Sequence, residues 1–253
     1  MGRAQRLTAH GRARAVKCAA EPTRSVTDPI PTGCGPLDEL LGGGFERGAA
    51  TQVYGPPAAG KTNVVLSAAV EVAASGDSAL YIDTEGLPIE RVEQLAAPYE
   101  TEAETLASRL IVTEALSFDQ QREAVRDAES FAENVSLIVL DSATGFYRLE
   151  RDDDDDGETL RAVARQITHL LGLARKHDLA VAFTNQVYTD PDADATRALG
   201  GQTLDHWSAV ILRLDRFRGG NRRATLEKHH SRAAGGRAEF VIDDAGLSGT
   251  ETP

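Results

Sequence analysis

Gly55-Pro56-Pro57-Ala58-Ala59-Gly60-Lys61-Thr62 satisfies G-x-x-x-x-G-K-[ST] without a mismatch, and each fixed position has a chemical reason. Glycines at both ends let the backbone curl until successive N–H groups converge on phosphate oxygens. Lys61 adds a compact positive charge for β- and γ-phosphates, and the Thr62 hydroxyl is an oxygen ligand suited to Mg²⁺. Every position from Gly55 to Asn63 is therefore a candidate nucleotide contact.

Three further polar residues stand where apolar runs end. Leu137-Ile-Val-Leu-Asp141 is an apolar strand closed by an acid, the form in which Asp141 would help hold Mg²⁺. Such runs are common, and helix or turn capping is the competing role. Glu85 follows Ser78–Ile82 and Asp83-Thr84. It offers an acceptor for the proton of a water attacking a γ-phosphate. Asp83 competes for that role, with turn support as its alternative. Gln186 closes the run Ala180–Thr184 and could sense the γ-phosphate through its amide, a plain turn-capping amide being the alternative.

These side chains need a frame. Gln52–Tyr54 reads as a strand before the loop, and Asn63–Ala74 as a helix after it, with Val64, Val65, Ala68, Ala69 and Val72 inward. The helix start favours anions. A short helix between two turns precedes this unit, over 32–44. Further strands are expected at Leu110–Val112, Val135–Leu140, Ala180–Thr184, and near 209–214, 224–228 and 238–242. A charged helical region precedes Leu110, and helices are expected over 120–133 and 158–176. Residues 188–199 read as a polar loop. Alternating strands and helices with closing hairpins imply an α/β fold, a mostly parallel, helix-covered sheet with antiparallel strands at its C-terminal edge. Ligands of such sheets gather at the carboxyl ends of the strands, where these candidates lie.

The 253 residues suffice for one large α/β domain. Residues 1–24 form a basic, non-periodic tail expected to be disordered, and 25–253 a single core. The tail could be a nucleic-acid-binding arm, or precede a natural start near Val26. No apolar run has the length of a membrane span or the form of a signal peptide, so a cytoplasmic protein is expected. Cys18 and Cys34 suggest neither a disulfide framework nor a metal pair. Net charge is −12. The tail carries six basic residues against one acid, leaving 21 against 38. A surface this acidic is the kind a high-salt cytoplasm selects. The Debye length at such salt is only about 3 Å, so repulsion from nucleic acid is largely screened.

Five motifs occur in order: the phosphate loop, Tyr81-Ile-Asp-Thr-Glu-Gly86, Leu140-Asp-Ser-Ala-Thr144, Thr184-Asn-Gln-Val187 and Gly200-Gly-Gln-Thr-Leu-Asp-His206. Together they resemble the archaeal and eukaryotic branch of the RecA-like recombinases, over roughly Thr32–Gly246. The short length and the lack of a helix-hairpin-helix domain resemble that branch's archaeal paralogues. The resemblance implies a RecA-like P-loop NTPase core using ATP and Mg²⁺. It puts Glu85 in the catalytic-glutamate place and Gln186 in the nucleotide-sensing place. His206 falls near the γ-phosphate side of a subunit interface, a buried histidine being the alternative. Ser142–Asp156 falls where the family's first DNA loop lies.

Departures limit what carries over. Asp152–Asp156 is a run of carboxylates where a strand-exchange protein would present basic residues to phosphate. The 188–199 segment is short and acidic. Lys228-His-His-Ser231 lacks the family's nucleotide-capping aspartate, and no aromatic polymerisation peptide precedes Thr32. The best DNA surface in the sequence is Arg213–Arg237, with Arg213, Arg216, Arg218, Arg222, Arg223, Lys228, Arg232 and Arg237 against Asp215 and Glu227. Arg218–Arg223 looks like a hairpin tip. The expectation is an ATP-binding accessory factor in homologous recombination and repair, with weak hydrolysis. Its partners would be DNA, preferably single-stranded, and the main archaeal recombinase, with self-association possible. A DNA-dependent ATPase performing strand exchange, and a KaiC-like signalling ATPase, are the alternatives.

Overall fold

The computed structural model describes residues 28–147, 157–190, 195–217 and 220–250. The elements in order are α1 (Gly35–Leu41), β1 (Ala50–Tyr54), α2 (Lys61–Ala74), β2 (Ala79–Asp83), α3 (Ile89–Ala96), α4 (Ala103–Arg109), β3 (Leu110–Glu114), α5 (Phe118–Asp127), β4 (Leu137–Asp141), α6 (Glu158–His177), β5 (Ala180–Asn185), β6 (Val187–Asp190), β7 (Ala195–Ala198), α7 (Gly201–Trp207), β8 (Val210–Arg216), β9 (Asn221–Lys228), β10 (Arg237–Asp243) and β11 (Gly246–Gly249). Nine strands form one sheet in the order β11-β10-β9-β8-β1-β5-β4-β2-β3. The run from β8 to β3 is parallel, and β9, β10 and β11 are antiparallel, as the sequence predicts.

Strand sequence explains the layering. Successive side chains point to opposite faces, so an apolar run buries both. On β4, Leu137 and Val139 enter the core under α1 and α2, while Ile138 and Leu140 enter the core under α5 and α6. Ala79 and Tyr81 of β2, and Ala180 and Ala182 of β5, follow the first file. Their alternates Leu80, Ile82, Val181 and Phe183 follow the second. Phe183 is fully buried, and truncation to Ala would cost about 3–5 kcal/mol. Parity therefore aims Asp141, two residues beyond Val139, toward the start of α2.

Three departures from the expected elements have local causes. The helix expected over 120–133 starts at Phe118, because the Ser117 hydroxyl accepts from the Gln120 amide. It ends at Asp127 and passes into a short 3₁₀ turn. The expected loop at 188–199 contains the β6–β7 hairpin, paired from Val187–Ala198 to Asp190–Ala195. Its alternation is too brief and polar to register as strands. β11 was not expected; a four-residue strand closing a sheet edge depends on β10 beside it. The Asp152–Asp156 run and residues 1–24 lie outside the described residues. Among the described residues, no helix is long and apolar enough to cross a membrane.

Candidate nucleotide site

β1 delivers the chain to the phosphate loop, and α2 begins at Lys61 directly after it. Two glycines are demanded by space. A Cβ on Gly55 would stand 2.2 Å from the Leu214 carbonyl oxygen of β8, and one on Gly60 would stand 2.4 Å from Ile242 Cδ1 of β10. Gly60 also has φ +101°, which other residues rarely adopt. Gly55, Pro57, Ala58, Gly60, Lys61, Thr62, Asn63, Glu85, Gln186 and Val187 line a cleft of about 330 Å³. The structure thus brings the loop together with two of the three strand-end candidates, from β2 and β5. Pro56 is half-buried and Ala59 buried in the loop itself.

Asp141 lies behind the cleft floor, 2% exposed. Tyr81 donates its hydroxyl to Asp141 Oδ2 at 2.6 Å, and the Thr184 hydroxyl donates to Oδ1. Burial pushes the Asp141 carboxyl up, against hydrogen bonds from Thr184, Tyr81 and Thr62 that favour its charged form. A hydroxyl from the loop and a carboxylate held by hydroxyls make an all-oxygen donor set, which fits a hard divalent cation. Lys61 Nζ donates to the carbonyls of Gly55 (3.0 Å) and Pro56 (3.2 Å). Burial lowers its pKa, while Glu85 and Asp141 pull it back up.

Glu85 is positioned by its neighbours. Its Oε1 accepts from Ser142 Oγ at 2.8 Å and from Gln186 Nε2 at 3.2 Å. Asp83 takes the supporting role: its carboxylate accepts from the backbone N–H of Glu85 (3.1 Å), Gly86 (3.0 Å) and Leu87 (2.5 Å). With both oxygens so committed, Asp83 shapes the turn that carries Glu85. Gln186 also touches the next element, since its carbonyl accepts from Leu199 N–H at 2.9 Å where β7 returns. Its own N–H donates to Thr144 Oγ1 at 3.1 Å, and that hydroxyl donates to Asn185 Oδ1 at 2.9 Å. One residue thus joins the cleft acid, through its side-chain amide, to the base of the β6–β7 hairpin, through its backbone.

Sequence reasoning missed Ser142, Tyr81, Thr184 and Arg91. Tyr81 and Thr184 share the strand parity of Asp141 and could have been found that way. Ser142 stood inside a quoted motif as the first residue of the expected DNA loop, with no role at the nucleotide. Arg91 has no local signal: it reaches the site because α3 packs on α2, donating to Asn63 Oδ1 (2.6 Å) and to the Asp243 carbonyl (2.7 Å).

The other expected contacts divide. His206 is exposed on α7, edge-on to Trp207, and does not line the cleft of its own chain; the buried alternative does not hold. The basic segment is not one surface. Arg213 pairs with Asp215 at 3.0 Å and Arg223 with Glu239 at 2.8 Å. Lys228 donates to the Asp205 carbonyl at 2.7 Å, and Arg232 to the Glu39 carbonyl at the end of α1 at 3.0 Å. Lys228 ends β9 and Arg222 nearly begins it, about 20 Å apart at strand rise. Arg216 and Phe217 are exposed, and Arg223 lies 4.5 Å from the Phe217 ring centre. Arg222 lies against Gly60. Arg218 lies outside the described residues.

With this geometry in hand, comparison with known proteins is specific. The sequence matches the Rad51 family over residues 23–250. It is 60% identical over 221 residues to the DNA repair and recombination protein RadB of Halobacterium salinarum, covering 86% of this chain and 94% of that one. It is 42% identical over 226 residues to the RadB of Methanococcoides burtonii, covering 88% and 99%. The fold is similar to the crystal structure of the RadB recombinase, with TM-score 0.77, 37% identity, and 88% and 100% of the two chains covered.

Proposed function

The chain belongs to the Rad51 family, in its RadB branch, and from that premise we propose an ATP-binding factor of DNA recombination and repair that hydrolyses ATP slowly and assists the main recombinase. Its partners are that recombinase and DNA, preferably single-stranded, in the cytoplasm. The observation that carries the reading is Glu85 held in the phosphate cleft by Ser142 and Gln186.

Each group has a defined task. Loop N–H groups and Lys61 bind the phosphate chain, and Asn63 stands at the start of α2 beside it. Thr62 and Asp141 would hold Mg²⁺, which when bound neutralises charge on the β- and γ-phosphates. Glu85 accepts a proton from the attacking water, and Gln186 with Ser142 fixes the carboxylate that receives it. Because Gln186 also closes the β6–β7 hairpin, a shift of its amide on hydrolysis would be felt at that hairpin, an order–disorder route common in nucleotide-driven proteins. His206, exposed on α7, suits a contact from a neighbouring subunit.

An accessory role is favoured over autonomous strand exchange by the scatter of the basic residues. Several are spent on carboxylates or carbonyls within the chain, Arg223 on Glu239 among them, and the DNA-contacting candidate is the β8–β9 tip, where exposed Phe217 lies against the half-buried Arg223. The family match over 23–250 favours recombination over KaiC-like signalling. Hydrolysis assayed with and without single-stranded DNA, beside a homologous-pairing assay, tests the reading. Slow, weakly stimulated turnover and no pairing by the protein alone are expected; strong stimulation with efficient pairing would overturn the accessory role. Co-purification with the host's main recombinase tests the partnership.

A further inference from the structure

Side-chain alternation sorts the basic residues of β8 and β9 onto two faces. Leu212 and Leu214 of β8, and Ala224 and Leu226 of β9, are buried in the core under α1 and α2. Arg216 and Arg222 continue those two files, and strand register sets them directly opposite one another. β8 runs parallel beside β1, so its carboxyl end reaches the phosphate loop, where the Leu214 carbonyl oxygen approaches Gly55. The two arginines therefore emerge beside that loop. Arg222 Cδ and Nε each lie 3.4 Å from where a Cβ on Gly60 would stand.

Among the described residues, neither arginine has a carboxylate partner. The nearby acids Asp215, Glu227 and Glu239 occupy the odd positions, on the opposite face, where they meet Arg213, Tyr54 and Arg223. Arg222 Nη1 donates to the Gly220 carbonyl, but its Nε is buried without a hydrogen-bond partner. A buried donor on a cation costs free energy unless something accepts from it. Burial and the like charge of Arg216 both push the Arg222 pKa down, the signature of a cation with no anion beside it.

We propose that Arg222, seconded by Arg216, is a nucleotide contact made in cis, its guanidinium donating to the phosphate chain held by Gly55–Thr62, and that it does not serve DNA. The assignment rests on the nucleotide site proposed above and adds to it a residue from β9, on the same face of the sheet as α2. Arg is suited to the task, since its planar fork matches phosphate oxygens and its charge persists when partly buried. The arrangement links nucleotide to the β8–β9 tip: Arg222 faces the phosphate loop, while Arg223, the next residue, stacks on Phe217 on the opposite face.

Arg222→Gln and Arg223→Gln, neighbours with opposite orientation, test this with Lys61→Ala as the control for the site itself. ATP affinity is measured by calorimetry, and affinity for a fluorescent single-stranded oligonucleotide by anisotropy without nucleotide. Arg222→Gln should weaken ATP binding roughly ten- to hundredfold, the range for one charge-assisted hydrogen bond, and leave nucleotide-free DNA affinity unchanged. Arg223→Gln should leave ATP binding unchanged. Exposed Arg216→Gln should weaken ATP binding severalfold and guards against a folding effect at the inner position. If Lys61→Ala abolishes ATP binding while Arg222→Gln and Arg216→Gln retain it in full, the assignment of Arg222 is wrong and the site stands. If Lys61→Ala itself binds ATP normally, the nucleotide site is wrong.

Discussion

Glu85→Gln separates chemistry from binding more cleanly than any other change at this site. The substitution keeps side-chain length and keeps Oε1 as an acceptor, so Ser142 Oγ, now at 2.8 Å, and Gln186 Nε2, at 3.2 Å, retain a partner. Glu85 is exposed, so loss of its charge leaves no buried hole and fold stability should change by less than about 0.5 kcal/mol. What disappears is basicity. A positioned general base contributes roughly 10²–10⁴-fold, or about 2.7–5.4 kcal/mol of barrier at 1.36 kcal/mol per decade. Single-turnover hydrolysis, with protein in excess over radiolabelled ATP and Mg²⁺, isolates that step. ATP affinity from calorimetry should stay within about threefold, because the acid meets the phosphates only through the attacking water. Asp83→Asn is the contrast, since it disturbs a carboxylate that accepts from three backbone N–H groups. It should lower the melting temperature as well as the rate. A Glu85→Gln protein hydrolysing within tenfold of wild type would refute the assignment of the base, and one unable to bind ATP would refute the geometry.

The remaining expectations concern the groups around that acid. Burial holds Lys61 below its usual pKa of 10.5 against the pull of Glu85 and Asp141. A lysine with a lowered folded pKa costs stability while charged in both states, and the cost fades as pH rises from the lowered value to the unfolded one. Lys61→Met should therefore melt higher than wild type near neutral pH without nucleotide, with the advantage shrinking toward about pH 10. The same variant should lose ATP binding altogether; a melting difference that grows with pH would contradict the burial argument. Tyr81→Phe deletes the 2.6 Å bond to Asp141 and keeps the ring. It should cost about 1.5–3 kcal/mol in urea unfolding, the range for bonds to charged groups, and a neutral result would mean that the bond carries no net stability. Phe217→Ala should weaken single-stranded DNA binding roughly five- to hundredfold, the range for one base stacked on an aromatic ring. Unchanged anisotropy titrations would remove the β8–β9 tip as a DNA surface.

Much of the site was legible because its chemistry is local. A phosphate loop needs its glycines, lysine and threonine within eight residues, and a buried parallel strand announces itself by an apolar run whose last residue meets the ligand. Glu85, Asp141 and Gln186 could thus be picked from strand ends before any contact was known. Partners were less legible. Asp83 and Glu85 are two residues apart and chemically alike, and only the turn made by three N–H groups on Asp83 tells support from candidate base. Arg91 lies far along the chain from Asn63 and meets it through helix packing.

The sequence by itself determined the helix-covered, mostly parallel sheet with its antiparallel edge and the place of the candidate phosphate loop, since these follow from periodicity and short-range spacing. Tertiary structure decided which side chains act together. The basic segment is the clearest case: composition shows eight cations in one stretch, but a strand turns neighbouring residues to opposite faces. Arg222 therefore meets the phosphate loop and Arg223 meets Phe217 and Glu239. Which face is which depends on the register of β8 against β1 and β9, a long-range pairing that composition does not encode.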